Sequence, residues 1–126
     1  MKNILTERLI IEEIGNTDEN DFGIYLKAEP GDFCVNVGTI SVYEDGEIGY
    51  KLFPLYRGFG YATEALVAIC EYLDISGIDY HAIVLPENEK SINVLKRADF
   101  ILTDTSYHPE YKEHAHTFKP NPERWL

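Results

Sequence analysis

Positive charge is scarce in this sequence: 11 Lys and Arg stand against 22 Asp and Glu, a formal net charge of -11. Nucleic-acid phosphates and anionic membrane faces are gripped by clustered Lys and Arg, so neither is an expected partner. A cationic partner would be drawn in, although the same acidity serves solubility alone. Cysteine is nearly absent too. Cys34 and Cys70 form neither a disulfide framework nor a zinc-ligand spacing, and both lie in apolar stretches that predict core positions. No apolar run is long enough to span a bilayer, and residues 1–9 lack the hydrophobic middle of a signal peptide, so the cytoplasm is the expected location. Internal repeats, low-complexity tracts and linkers are missing, and 126 residues predict one domain, 1–126, with one modest core.

What is present is a strand-rich pattern followed by strands and helices in alternation. Residues 8–14 (RLIIEEI) and 22–28 (FGIYLKA) are β-branched or aromatic runs on either side of the polar GNTDEND stretch, and predict two strands. Residues 34–43 and 47–53 predict a hairpin, with Asp45-Gly46 as the pair favoured by a tight primed turn. Ala62, Ala65, Leu66, Ile69 and Leu73 follow helical spacing, and Gly77 stands where a helix ends, so a helix is predicted over 61–76. A strand over 79–86, a helix over 88–98 with Ile92 and Leu95 on one face, a strand over 100–107 and a closing strand over 114–120 complete the pattern. Antiparallel hairpins in the first half and crossover helices with parallel pairing in the second imply a mixed α/β (α+β) sheet.

The stretch RGFGYATEAL places glycines where a strand bends into a helix. Backbone N–H groups left unpaired in the first helical turn, the positive end of the helix dipole and the absent Cβ atoms of Gly58 and Gly60 make a seat for an anion such as a diphosphate. The same two glycines would also serve a sharp turn with no ligand at all. Thr63 stands where a dinucleotide fingerprint starting at Gly58 wants its third glycine, and no Gly-Lys-Ser or Gly-Lys-Thr is present, so neither nucleotide motif fits.

This segment closely resembles the acyl-CoA-binding signature of the GNAT superfamily of N-acetyltransferases, with Arg57, Gly60 and Ala62 at its defining places. Residues 86–100 (PENEKSINVLKRADF) resemble the family's second cofactor segment, and TERLIIEE, EIGYKLFPLYRGFGYATEAL and HTFKPNPERW are similar to the branch of ribosomal-protein α-amino acetyltransferases. The resemblance implies a mixed, mostly antiparallel sheet splayed between the fourth and fifth predicted strands, with acetyl-CoA in the opening as acyl donor. Backbone near Leu52 and Phe53 would then pair with the pantetheine arm. Residues Arg57, Gly58, Phe59, Gly60, Tyr61, Ala62 and Thr63 would hold the pyrophosphate, with Asn88 and Ser91 at the second segment. Asn88 is equally suited to cap its own helix.

Three departures from the family pattern stand out. The usual pair of helices between the first and second predicted strands is replaced by about seven residues, too few for two helices, so the acceptor wall is missing. The family's acid tyrosine on the second cofactor helix is matched by Leu95, which leaves Tyr50 and Tyr107 as candidate acids among tyrosines whose commoner use is packing. Asp99 replaces a usual glycine before the phenylalanine, a position that Asp tolerates.

The resemblance implies a carboxylate base on the fourth predicted strand, which makes Glu47 at its start the candidate; beside Asp45 and Glu44 it is also an ordinary solvated hairpin residue. His114 and His116 share a strand face without a third ligand, so no metal is expected, and His81 reads as a hydrogen-bonded core residue. The expected activity is transfer of an acetyl group from acetyl-CoA to a primary amine by direct attack. A basic peptide or small polyamine is the expected acceptor, in a homodimer whose partner rebuilds the absent wall. The alternative is an acyl-CoA-responsive binding module without turnover.

Overall fold

The computed structural model describes residues 3–14 and 20–125. Five strands form one antiparallel sheet in sequence order: β1 (Asn3–Leu5), β2 (Leu9–Ile14), β3 (Asn20–Leu26), β4 (Val35–Val42) and β5 (Ile48–Leu52). Alternation drives this half, because Leu9, Ile11, Phe22, Ile24, Ile40 and Val42 all point to one buried face. A 3₁₀ turn at Pro54–Tyr56 leads to helix α1 (Tyr61–Ile75), which lays Ala65, Leu66, Ile69 and Leu73 on that face. Its end is fixed where the Gly77 and Ile78 N–H groups return to the Asp74 and Leu73 carbonyls.

Strand β6 (Ala82–Val84), helix α2 (Glu89–Arg97), strand β7 (Phe100–His108) and strand β8 (Glu113–Pro120) form the second half. The parallel pairing expected of the crossovers is confined to one bridge, Glu47 to His81, where the Ile48 N–H donates to His81 O and the His81 N–H to Gly46 O. Beyond that bridge the sheet is split: β6, β8 and β7 form a separate three-stranded sheet in that order. The mixed, mostly antiparallel and splayed architecture expected from the sequence is therefore present, but the last strand does not close an edge. It enters between β6 and β7, antiparallel to both.

Several local expectations are corrected. Strand β1 has no counterpart in the sequence reading, since three residues carry too little periodicity. The 43–47 turn is not of the primed type: Gly46 alone has a positive φ, of 91°, and the Gly46 N–H returns to Tyr43 O while the Tyr43 N–H reaches Glu47 O. That is a turn followed by a glycine bulge. Cys34 is exposed rather than buried, because it precedes β4 in an open loop; Cys70, on the inner face of α1, is buried as expected. Asp99 does adopt left-handed backbone, at φ 66°.

Strands β2 and β3 pair directly, with Ile14 opposite Asp21. Most of the GNTDEND connection, residues 15–19, lies outside the described residues. No described helix is long and apolar enough to cross a membrane.

Candidate active site at the split sheet

Where β5 and β6 diverge, the backbone of β5 is left without a neighbour. The Ile48 N–H faces β6 and the Phe53 N–H faces β4, where it donates to Val37 O. Alternation along the strand therefore turns the N–H groups of Tyr50 and Leu52 toward the opening. Leu52 thus stands at the expected edge, whereas the Phe53 N–H is already bonded on the other side. The Leu52 carbonyl accepts from Arg57 Nε at 3.0 Å.

Two cavities occupy the opening. The larger, about 730 Å³, is lined by Leu52, Arg57, Gly58, Gly60, Tyr61, Ala62 and Thr63 from the strand-to-helix turn and by Asn88 and Ser91 from α2. Gly58 and Gly60 have φ of 88° and 83°, backbone that side chains with a Cβ rarely adopt. No side chain caps α1, and its first hydrogen bond runs from the Glu64 N–H to Gly60 O. The N–H groups of Tyr61, Ala62 and Thr63 therefore precede the helical ladder, at the positive end of the dipole. Phe59 is exposed and stacks on Tyr61 with ring centres 5.5 Å apart.

This turn is braced from outside. Arg8 donates from Nη1 to Phe59 O at 2.8 Å and from Nε to Glu64 at 2.7 Å, and its guanidinium lies 4.7 Å over the Tyr61 ring. The Arg8 main-chain N–H and the Thr6 hydroxyl both donate to the second oxygen of Glu64. Burial alone would raise the Glu64 pKa, but these bonds and the Arg8 charge outweigh it and hold the carboxyl below its ordinary value. The sequence reading missed this brace, because Arg8 and Glu64 are 56 positions apart.

The smaller cavity, about 340 Å³, is lined by Tyr43, Glu47, Gly49, Tyr50, Leu95 and Tyr111 among others. Burial is the main cause that raises the Glu47 pKa, with Asp45 adding to it and His81 opposing. Ligand atoms of Asp45, Glu47 and His81 lie within 4.8 Å of one another, a set that would suit a small cation or an ammonium group. His81 is thus half-buried beside Asp45 and Glu47 instead of in the core. His114 and His116 stand elsewhere, the first edge-on to Tyr107 and the second hydrogen-bonded through Nδ1 to the Thr105 hydroxyl at 2.7 Å. Tyr111, from the turn between β7 and β8, gives the second cavity a wall that the sequence reading did not foresee.

Tyr50, Asn88 and Ser91 line both cavities. Asn88 does cap α2, accepting from the Ser91 N–H at 3.2 Å. The Tyr50 hydroxyl is 2.6 Å from Ser91 Oγ. Leu95 is fully buried and carries no proton to give.

Charge is divided between the two spaces. Among the described residues, Lys51, Arg57, Lys90 and Arg97, four of the chain's 11 Lys and Arg, line the larger cavity without a carboxylate, and Glu47 is the one charged side chain of the smaller. An extended anion fits the first, and a cation the second.

Comparison with known proteins agrees with this geometry. An acetyltransferase (GNAT) domain profile matches residues 4–101. No curated protein matches the chain by sequence at a significant level. Among solved structures, a GNAT-family acetyltransferase from Bacillus anthracis superposes with a TM-score of 0.77 at 20% identity, over 93% of this chain and 96% of that one. The ribosomal L7/L12 α-N-protein acetyltransferase RimL, in complex with coenzyme A, gives 0.77 at 14% identity over 93% and 96%. The ribosomal-protein-S5-alanine acetyltransferase from Vibrio fischeri gives 0.71 at 21% over 86% and 64%. Identities this low establish the shared fold, and the profile match over most of the chain supplies the rest: the protein belongs to the GNAT family of acetyltransferases.

Proposed function

We propose that the chain, as a single domain over 1–126, transfers an acetyl group from acetyl-CoA to a primary amine by direct attack in a ternary complex. The observation that carries this reading is the division of charge between two cavities that meet at Tyr50, Asn88 and Ser91. A donor with phosphates at one end and a thioester at the other would lie with its diphosphate on the α1 turn and its acetyl group at the shared wall. RimL, which shares this fold, is in complex with coenzyme A, and that supports acetyl-CoA as the donor. Arg57, Gly58, Phe59, Gly60, Tyr61, Ala62 and Thr63 would hold the diphosphate, the Leu52 edge and Asn88 the pantetheine arm, and Glu47 would take the proton of the attacking amine. Its raised pKa brings the carboxylate closer to the pH at which it would work. The acceptor reading is a cationic amine, either a basic peptide or a small polyamine.

Direct pairing of β2 with β3 favours a second reading, an acyl-CoA-responsive binding module whose acceptor side is too open for turnover. One experiment addresses both. Acetyl-CoA binding is measured by calorimetry for the wild type and for Thr63→Glu, a change that places a negative charge at the seat while suiting the first turn of a helix. Binding in the wild type and its loss in the variant support the anion seat; equal binding in both overturns it. Thiol release with peptides, polyamines or aminoglycosides then selects the enzyme, and its absence with all three selects the binding module.

A further inference from the structure

The wall shared by the two cavities is where the chemistry of acetyl transfer has to take place. The phosphate seat lies at one end of the larger cavity and Glu47 in the smaller one, so a thioester reaching from the first toward an amine beside the second passes Tyr50, Asn88 and Ser91. Cleavage of the C–S bond there leaves a thiolate that needs a proton. Tyr61 and the four cations line the larger cavity alone, and Tyr43, Glu47 and Tyr111 the smaller alone, which leaves Tyr50 as the titratable side chain common to both. Its hydroxyl crosses from β5 to α2, where it meets Ser91 Oγ at 2.6 Å and the Ser91 carbonyl oxygen at 3.2 Å. Ser91 is one helical turn before Leu95, which is fully buried and apolar. Tyr107 is separated from this place: it is exposed on β7 with its ring edge-on to His114.

We propose that Tyr50 is the proton donor to the departing CoA thiolate, and that Ser91 holds its hydroxyl at the wall until the thioester arrives. The assignment rests on the acetyl-transfer reading above. The amine nitrogen forms a bond to the carbonyl carbon and gives its surplus proton to Glu47. The C–S bond breaks with its electron pair on sulfur, and the Tyr50 hydroxyl proton moves to that sulfur. The tyrosine oxygen then regains a proton from solvent through the Ser91 hydroxyl, and Glu47 releases its own to solvent, so one amine proton is in effect exchanged for the thiol proton. Burial raises the Tyr50 pKa against the lowering effect of its bond to Ser91, so the hydroxyl is protonated at neutral pH and available to donate.

The test uses free CoA labelled with ¹³C at the carbon that bears sulfur, bound to the full chain, with its chemical shift followed as pH is raised. In the wild type a hydroxyl aimed at sulfur stabilises the thiolate, and the bound thiol should ionise about tenfold more readily than in free CoA, a single strong hydrogen bond to an anion. Tyr50→Phe should return it to the value of free CoA. Replacement of Tyr50 by 3-fluorotyrosine, a stronger acid of nearly the same shape, should lower it further and covers the case in which the phenylalanine variant does not fold. In turnover with spermidine as the amine, Tyr50→Phe should reduce kcat roughly a hundredfold at unchanged KM for acetyl-CoA. Normal CoA binding with the same thiol titration in all three proteins overturns the role of Tyr50 and leaves acetyl transfer standing. Failure of the wild type to bind CoA overturns both.

Discussion

Glu47 and Tyr50 are three residues apart in the sequence, and both line the smaller cavity, yet only the first could be nominated from sequence on more than its residue type. Glu47 was nominated because it begins the strand on which several members of the resembled family carry a carboxylate base. The place of Tyr50 was not legible, since what gives it meaning is a partner 41 positions away on a different element. Glu47 carries a prediction in which stability and activity move in opposite directions. Burial and the nearby Asp45 raise its pKa in the folded state, so the native protein binds more protons than the unfolded chain between the two values. Stability contributed by the group is therefore complete below the unfolded value of about 4.3, falls as pH rises through the native one, and stays diminished at neutral pH. Glu47→Gln should melt higher than the wild type at pH 7, with the difference vanishing toward pH 4, while kcat falls roughly a hundredfold. Thermal melts across pH alongside steady-state kinetics would check it, and a variant both less stable and fully active would exclude the assigned base.

Among the elements, the helices and their ends were readable and the order of the strands was not. Helix α1 could be placed from spacing and from glycine at either end, all signals that act over a few residues. The insertion of β8 between β6 and β7 depends on pairings between segments far apart in the chain, and no local pattern encodes them. The same holds for the brace of the glycine turn by the link between β1 and β2. Arg8 and Thr6 tie that link to Glu64 in α1, and Arg8 also reaches Phe59 O, so the conformation of the turn is set by contacts outside the cofactor cavity. Arg8→Ala should free the turn without touching the ligand. As the ion pair is partly exposed, the loss of stability should be about 1 kcal/mol, or about 4 °C in Tm for a domain of this size. Acetyl-CoA affinity should fall about tenfold, the equivalent of 1.4 kcal/mol, with kcat little changed. Because Glu64 has a lowered pKa in the folded state, its contribution is present above the unfolded carboxyl value and is lost as pH falls through the native one. The gap between wild type and Arg8→Ala should thus narrow on acidification in melts followed by circular dichroism. A gap that widens would assign the brace to something other than the Glu64 carboxylate.

At the scale of the whole molecule, an acidic chain has gathered cations around one groove and left the other side of the split sheet bounded by a carboxylate and by Tyr43 and Tyr111, both exposed in part. With β2 and β3 paired directly, the described residues include none of the helices which the family resemblance implies between those strands. A second copy of the chain standing against this face would enclose the acceptor and cover both tyrosines, and we expect the active form to be such a homodimer. Association has to overcome repulsion between two bodies of formal net charge -11, and that repulsion acts over the Debye length, about 30 Å at 0.01 M salt and 8 Å at 0.15 M. The dimer should therefore be weak in dilute buffer and strengthen as salt rises, opposite to an assembly held by ion pairs. Sedimentation equilibrium at both ionic strengths should give a mass near that of the monomer in the first and approach twice that in the second. Tyr111→Glu, on the exposed turn between β7 and β8, should hold the chain monomeric at either. Turnover should follow the dimer fraction, whereas full turnover by a protein that sediments as a monomer at every salt would mean that Tyr43, Glu47 and Tyr111 already complete the acceptor site within one chain.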